Sequence, residues 1–287
     1  MLVAMHGGGS RAAYFDSPVA RESSLVEVAA AAGWRSVALD RPGYGESAWL
    51  HERRLDTAAQ AWLLRGAVGQ LGEGLPVVLV GHSVGAIVAL QLTRLLEREP
   101  GSIRLLGTAV GGAPLVYTRE QQAMHAAVDA SGPTIRRPPG TRPDPEEWLG
   151  PTGTYPEQLR ERRHEVLAKV PSGEMADAAG APELLSALLA DVQLPIQFAV
   201  AEYESTMASA EQLLARALEV LPQVPGSELL TVHGSGHNLS LSHRARSYHL
   251  RVLSFAEQAL AASTCSRLSD EGALWAGPAT WRSKCEQ

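Results

Sequence analysis

The stretch Gly81-His82-Ser83-Val84-Gly85 follows an apolar run at residues 75–80 and precedes another at residues 86–90. This order predicts a buried strand that turns sharply into a helix at Ser83. Glycines suit the two ends of such a turn, because side chains there would collide with the neighbouring strand and helix. Ser83 would project its hydroxyl from the carboxyl end of a sheet, above a helix amino terminus that favours negative charge. The stretch therefore predicts a nucleophile elbow, with Ser83 as the nucleophile.

Apolar runs of strand length alternate with helical patterns on both sides of this turn. The further strand patterns lie at residues 2–5, 34–39, 103–110, 196–200 and 228–232. The helical patterns lie at residues 25–32, 55–68, 86–97, 208–221 and 242–262. Alternation at this spacing is typical of right-handed parallel units. We therefore expect an α/β fold with a mostly parallel central sheet and helices on both faces, built from residues 1–112 and 192–262.

Residues 113–191 break this alternation, because strand patterns disappear and proline and charge become frequent. Helical stretches remain near residues 120–130, 157–170 and 182–189. An unstructured loop of this length is unusual inside a compact domain, so we expect a helical lid inserted after the strand that follows the elbow helix. Residues 263–287 are polar and predict a loosely held C-terminal tail.

A serine hydroxyl is a poor nucleophile at neutral pH and needs a base, which in turn needs an orienting acid. His237 follows the last strand pattern in a glycine-containing loop, on the sheet edge where Ser83 is expected, and His233 is the competing candidate. Glu202 and Glu204 both follow the preceding strand pattern. We prefer Glu204 as the acid, because the turn gives the later carboxylate more reach toward a neighbouring loop.

Attack on a carbonyl also needs amide donors where the oxyanion develops. The Val84 amide is one candidate, since it opens the elbow helix. The other candidate is the Gly8 amide in the glycine-rich turn after the first strand, with Gly7 and Gly9 as alternatives. We expect His6 to brace this turn.

Five motifs occur together in one order along the chain. They are a glycine turn at residues 6–10, an Asp-Arg-Pro-Gly-Tyr-Gly-Glu-Ser loop at residues 40–47, the elbow, an acid loop at residues 201–205 and a histidine loop at residues 233–238. As a set they resemble the α/β-hydrolase superfamily, over about residues 2–260. Within it, the chain is similar to lid-bearing bacterial esterases, thioesterases and lactonases.

The resemblance implies that Ser83 is the nucleophile, His237 the base and Glu204 the acid, with the oxyanion hole formed by Val84 and Gly8. Two features depart from the usual pattern. The acid is glutamate instead of the more common aspartate. The chain also begins at the strand that carries the glycine turn, so the two antiparallel strands that usually precede it are missing. Either the true start of the protein lies upstream, or the edge of the sheet is trimmed, and a trimmed, exposed edge is then a candidate surface for a homodimer.

Composition narrows the partners and the compartment. Lys and Arg total 25 against 31 Asp and Glu, which gives a net charge of −6 and argues against a nucleic-acid or anionic membrane surface. The apolar runs are shorter than the roughly 20 residues of a membrane span, and residues 1–7 indicate a strand instead of an export signal. The only cysteines, Cys265 and Cys285, fit neither a zinc cluster nor a disulfide scaffold. We expect a cytoplasmic enzyme without a cofactor or metal.

These inferences favour a serine hydrolase that cleaves an ester, thioester or lactone of a small molecule through an acyl-enzyme on Ser83. The same residues could instead perform acyl transfer, cyclisation or elimination on a biosynthetic, polyketide-type intermediate, if the lid excludes water. A non-catalytic ligand-binding protein is the third hypothesis. Within the lid, Met124, Trp148 and Tyr155 are candidate substrate contacts.

Overall fold

All six strands form one parallel sheet in the order β2-β1-β3-β4-β5-β6. The computed structural model describes residues 1–99, 101, 103–138 and 145–274. The strands are β1 (Leu2–Met5), β2 (Ser36–Leu39), β3 (Pro76–His82), β4 (Arg104–Gly111), β5 (Ile196–Tyr203) and β6 (Glu228–Gly236). They confirm the predicted sheet, and β2 lies at one edge.

Ten α-helices are described between and after these strands. They are α1 (Leu25–Ala31), α2 (Thr57–Leu71), α3 (Val84–Arg98), α4 (Arg119–Ala126), α5 (Pro145–Leu149), α6 (Gln158–Glu161), α7 (Met175–Ala179), α8 (Ala181–Asp191), α9 (Ala210–Val220) and α10 (Ala245–Leu274). Side chains of α1 and α10 pack on one face of the sheet, and those of α2, α3, α8 and α9 pack on the other. The α/β fold class is therefore confirmed. No helix in the described ranges is both long enough and apolar enough to cross a membrane.

The alternation of side chains along β1 explains how the sheet holds a core on each face. Leu2 and Ala4 join the cluster under α1 and α10, whereas Val3 and Met5 join the cluster under α2 and α3. Successive strand residues point to opposite faces, so an unbroken apolar run is buried on both sides. The uninterrupted apolar strands of this sequence follow from that burial.

The elbow forms where predicted. β3 ends at His82, α3 begins at Val84, and Ser83 between them has φ 53° and ψ −123°. Such a backbone conformation is strained for a residue that carries a Cβ. The turn brings α3 close beside β1, so a Cβ on Gly85 would lie 2.3 Å from the carbonyl oxygens of Met5 and His6.

This crowding gives a stability prediction. Gly85→Ala is expected to lower the free energy of unfolding by about 3 kcal/mol or more, because the new methyl group meets rigid backbone. Gly66→Ala in α2 is the matched control, since a Cβ there meets nothing within 4 Å. It should raise the free energy of unfolding by about 0.5–1 kcal/mol, as alanine is the better helix former. Urea unfolding of both variants measures the difference, and equal stabilities would contradict the close approach at Gly85.

The chain between β4 and β5 holds five of the helices, α4 to α8. We call residues 113–191 the insertion. The helix predicted over residues 157–170 is wrong in extent: α6 ends at Glu161, a 3₁₀ turn covers Arg163–Glu165, and residues 166–170 are not helical. The reason is tertiary, since the Ala168 amide donates to the Gly9 carbonyl at 2.8 Å and Leu167 bridges to Ser10.

The predicted start of the C-terminal tail also needs correction. The helix that closes the fold does not stop near residue 262, because α10 continues to Leu274. Residues 263–274 are therefore helical instead of forming a loose extension. Residues 275–287, the remainder of the predicted tail, lie outside the described residues.

Candidate active site

His237 and Glu204 lie in contact at the carboxyl end of the sheet. His237 directly follows β6, and Glu204 directly follows β5. The Nδ1 atom of His237 lies 2.8 Å from the Oε2 atom of Glu204, and both residues are buried. Since a carboxylate only accepts, Nδ1 carries a proton, and Nε2 is the ring nitrogen that can carry the lone pair of a base.

The second carboxylate oxygen of Glu204 is also occupied. Its Oε1 atom accepts from the Ser205 amide at 3.1 Å, the Thr206 amide at 2.9 Å and the Thr206 hydroxyl at 2.7 Å. Burial by itself raises the pKa of Glu204, but His237 and these hydrogen bonds outweigh it and hold that pKa below its ordinary value. Glu204 is therefore an oriented carboxylate at neutral pH.

The competing candidates, Glu202 and His233, lie near each other and away from this pair. The Oε2 atom of Glu202 accepts from the Gly234 amide at 2.7 Å and lies 3.7 Å from Nδ1 of His233. His233 is 78% exposed in its side chain, against 10% for His237. Glu202 and His233 thus lie at an irregularity in the pairing of β5 with β6, near the ends of both strands.

Ser83 and His237 line one cavity of about 320 Å³. The cavity is bounded by residues from the glycine turn, the elbow, the insertion and the two loops that follow β5 and β6. They are Gly7, Gly8, Gly9, Ser10, His82, Ser83, Gln121, Met124, Arg137, Glu147, Trp148, Leu167, Ala168, Val170, Thr206, His237 and Asn238. The sheet topology explains this convergence, because parallel strands bring their carboxyl ends to one edge.

The three candidate substrate contacts do not share one environment. Met124 and Trp148 line the cavity. Tyr155 is not among the lining residues: the residue is 2% exposed and packs in the core with Leu149, while its hydroxyl accepts from Arg160 at 2.8 Å. An aromatic residue in an insertion is as readily part of its packing as of a pocket wall, and sequence offers no signal that separates the two.

The glycine turn runs beside the elbow. A Cβ on Gly7 would lie 3.0 Å from the Cβ of Ser83, and one on Gly8 would lie 3.4 Å from Cγ2 of Val84. The Gly9 amide is occupied, because it donates to the Tyr44 hydroxyl at 3.2 Å. Gly8 therefore lies beside Val84, whereas the Gly9 amide already has a hydrogen-bond partner in Tyr44.

His6 holds the turn through both ring nitrogens. Its Nδ1 atom lies 2.8 Å from the Gly7 carbonyl oxygen, and its Nε2 atom accepts from the Arg41 amide at 3.1 Å. These partners fix the tautomer, with the proton on Nδ1. Burial first, and then the charge of Arg41, lower the pKa of His6 well below its ordinary value. His6 is thus a neutral brace.

A buried ion pair lies behind the turn and had no counterpart in the sequence predictions. The Nη1 atom of Arg41 donates to Oε2 of Glu174 at 2.8 Å, and both side chains are almost fully buried. Arg41 belongs to the motif at residues 40–47, and that motif does not indicate which carboxylate pairs with it. Glu174 lies in the insertion, and the wide separation of the two residues along the chain leaves no pattern that could pair them.

His82 directly precedes Ser83 in the elbow. Its ring stacks on Tyr14 with centroids 4.4 Å apart and lies 4.8 Å from the ring of His237. Burial, and then the charge of His237, lower the pKa of His82 well below its ordinary value. A neutral His82 adds no positive charge beside the histidine–glutamate pair.

A serine held in left-handed backbone between a buried parallel strand and a helix defines the α/β-hydrolase class of protein. The chain belongs to the α/β hydrolase family, whose sequence model matches residues 2–249. A comparison with curated proteins gave no match.

Solved structures with the same fold include two esterases and a lipase. A thermophilic esterase from Thermogutta terrifontis is 18% identical, over 90% of this chain and 89% of its own, with a TM-score of 0.59. A monoacylglycerol lipase from Paleococcus ferrophilus is 16% identical, over 90% of this chain and 94% of its own, with a TM-score of 0.62. A methylesterase from Arabidopsis is 18% identical, over 88% of this chain and 98% of its own, with a TM-score of 0.61. At these identities the likeness is one of fold.

Proposed function

We propose that this protein is a serine hydrolase that cleaves a carboxylic ester, thioester or lactone of a small molecule through an acyl-enzyme on Ser83. One observation carries the proposal: the 2.8 Å contact between His237 and Glu204 at the cavity that Ser83 also lines. A strained serine, a tautomerically fixed histidine and a buried carboxylate have a shared purpose only if the serine hydroxyl is to be deprotonated.

In the acylation step, the Ser83 oxygen attacks the carbonyl carbon while its proton passes to Nε2 of His237. The imidazolium that forms is stabilised by Glu204, which accepts from Nδ1 at 2.8 Å. His237 then returns the proton to the leaving alcohol or thiol, and the acyl-enzyme remains. Water attacks this ester in the second step, with His237 again as base, and releases the acid and Ser83. These steps use side chains, backbone amides and water.

The oxyanion of each tetrahedral intermediate is assigned to the amides of Val84 and Gly8. Val84 is the first residue of α3, so its N–H has no acceptor within the helix and lies at the positive end of the helix dipole. Gly8 lies beside Val84 in the adjacent turn. Removing one such donor in a comparable site lowers the rate by about 10²–10³-fold.

The insertion is assigned the role of a lid that shapes the acyl pocket. It reaches the catalytic loops directly, since the Asn238 amide donates to the Trp148 carbonyl at 2.9 Å and the Ser205 hydroxyl donates to the Glu147 carbonyl at 2.6 Å. Met124 and Trp148 give the cavity an apolar wall. A volume of about 320 Å³ suits a small acyl group.

A screen of acyl esters, acyl thioesters and lactones of graded chain length tests the proposal, with Ser83→Ala as control. We expect turnover of at least one short-chain class, and a single fluorophosphonate adduct on Ser83 in the folded protein. Counting products with and without an added alcohol or amine separates hydrolysis from acyl transfer. Folded protein that forms no adduct on Ser83 would refute every mechanism based on this nucleophile.

A further inference from the structure

The insertion holds the glycine turn as well as the cavity wall. The Ala168 amide donates to the Gly9 carbonyl at 2.8 Å, and Val170 lies 3.3 Å from the point where a Cβ on Gly9 would be. Gly9 itself has φ +72°, a conformation that suits glycine. The shape of the turn therefore depends on a segment far away in the sequence.

Tyr44 is the link between this turn and the ion pair of Arg41 and Glu174. Its hydroxyl donates to Oε1 of Glu174 at 2.5 Å and accepts from the Gly9 amide at 3.2 Å and from Arg41 at 3.3 Å. One proton and two lone pairs are all that a phenol offers, so each is used. Burial, and then the charge of Glu174, raise the pKa of Tyr44 well above its ordinary value, which keeps the phenol protonated.

Glu174 cannot easily turn away from Tyr44. Its Oε2 atom accepts from Arg41 at 2.8 Å and from the side-chain Nε2 of Gln60 at 3.2 Å, and its Oε1 atom lies 3.3 Å from the Cβ position of Gly8. The pair is buried, where an unmatched charge would be costly. The carboxylate is thus a fixed acceptor that determines where the Tyr44 hydroxyl points.

Two planar peptides meet at Gly8, and each is held from outside. The first contains the Gly7 carbonyl, which accepts from His6, together with the Gly8 N–H. The second contains the Gly9 N–H, which donates to Tyr44. Because a peptide unit is planar, fixing one of its polar groups fixes the direction of the other. His6 therefore holds the peptide that carries the Gly8 N–H, and Tyr44 holds the adjoining peptide on the other side of the Gly8 Cα, so a turn about Gly8 is restricted from both sides.

We infer that Glu174 and Tyr44 are positioning residues of the oxyanion turn, through which the insertion keeps the Gly8 amide directed at the developing oxyanion. This inference rests on the proposed function. Neither residue is among those that line the cavity, so the loss of this link should weaken transition-state stabilisation and leave substrate binding almost unchanged. The loss should therefore lower kcat and leave KM almost unchanged.

Tyr44→Phe is the decisive variant, because it cuts the link and leaves the pair of Arg41 and Glu174 in place. We expect kcat for a short-chain ester to fall about 10–100-fold with KM within about twofold. Hydrogen exchange in a peptide covering residues 6–12 should also become faster. Tyr117→Phe is the matched control, since its hydroxyl donates to the Ala178 carbonyl within the insertion at 2.7 Å. If Tyr44→Phe matched Tyr117→Phe in both kcat and exchange, the positioning role would be excluded.

A double-mutant cycle tests whether Glu174 acts through Tyr44. Glu174→Gln keeps an acceptor for the phenol but removes the charge, so kcat should fall by less than in Tyr44→Phe. When Glu174→Gln is added to Tyr44→Phe, it should cause no further fall in kcat. An unchanged factor in the double variant would show that Glu174 acts by another route. If Glu174→Gln does not fold, Tyr44→Phe alone decides the inference.

The two proposals fail in different ways. A wild-type protein that is folded but neither labelled on Ser83 nor active on any ester refutes the hydrolase. Hydrogen exchange at residues 6–12 still decides the structural claim in that case, because it does not depend on turnover. An active wild type with an unaffected Tyr44→Phe variant refutes only the positioning role.

Discussion

Ser83→Ala is expected to lower kcat by about 10⁶-fold while the protein stays folded. The alanine removes the attacking oxygen but keeps the Cβ, so the strained backbone at φ 53° is unchanged. Steady-state kinetics on the best ester, with the fluorophosphonate adduct as a second readout, measure the loss. A variant that retains a tenth of the wild-type kcat would exclude Ser83 as the nucleophile.

Ser83→Gly separates the chemical role of this residue from its strain. It should be as inactive as Ser83→Ala, yet its free energy of unfolding should be about 1 kcal/mol higher, because glycine adopts this conformation without a Cβ clash. Urea unfolding of the two variants provides the comparison. Equal stabilities would mean that the elbow stores no strain at Ser83.

The second large effect is expected for Glu204→Gln, which should lower kcat by about 10³–10⁴-fold. Glutamine is similar in size, but it cannot hold a charge beside the imidazolium, and its amide nitrogen can present a donor to Nδ1 of His237. His237 would then favour the wrong tautomer, with its proton on Nε2. The loss should appear in kcat at every pH at which the wild type is active.

Glu202→Gln is the matched control, because Glu202 lies near the end of β5, the strand that Glu204 follows, and its described hydrogen bond is with the Gly234 amide of β6. It should keep kcat within about twofold of wild type, since surface substitutions of this kind have small effects. Full activity in Glu204→Gln together with loss in Glu202→Gln would reverse the assignment of the acid.

The fold was predictable because its signals are local. A glycine-bounded serine between two apolar runs requires a strand, a turn and a helix in consecutive residues. The crowding at Gly85 involves Met5 and His6 at the end of the neighbouring strand, but it follows from the sharp turn between β3 and α3, which the local sequence specifies. The helix wrongly predicted over residues 157–170 has the same explanation, because there the local pattern is helical but residues 167 and 168 pair with the glycine turn instead of continuing the helix.

The sequence predicted the candidate site only to the extent that the positions of the strand ends determine which residues lie near one another. Sequence order placed Ser83, His237 and two glutamates at one sheet edge, but it could not tell which carboxylate reaches the imidazole. That choice depends on how the turn after β5 folds, and there the amides of Ser205 and Thr206 hold Glu204 in place. The spacing of residues along the chain cannot distinguish two glutamates that are only two positions apart.

The sequence by itself determined the parallel sheet, the elbow and the nucleophile candidate, because each follows from contacts among neighbouring residues or from the order of strands. Only the tertiary structure decided that Glu204 meets His237, that Tyr155 packs in the core, and that Glu174 faces Arg41 behind the glycine turn. The physical reason is that these are single contacts between distant segments. Their partners are selected by burial and by hydrogen-bond satisfaction, which leave no periodic pattern in the chain.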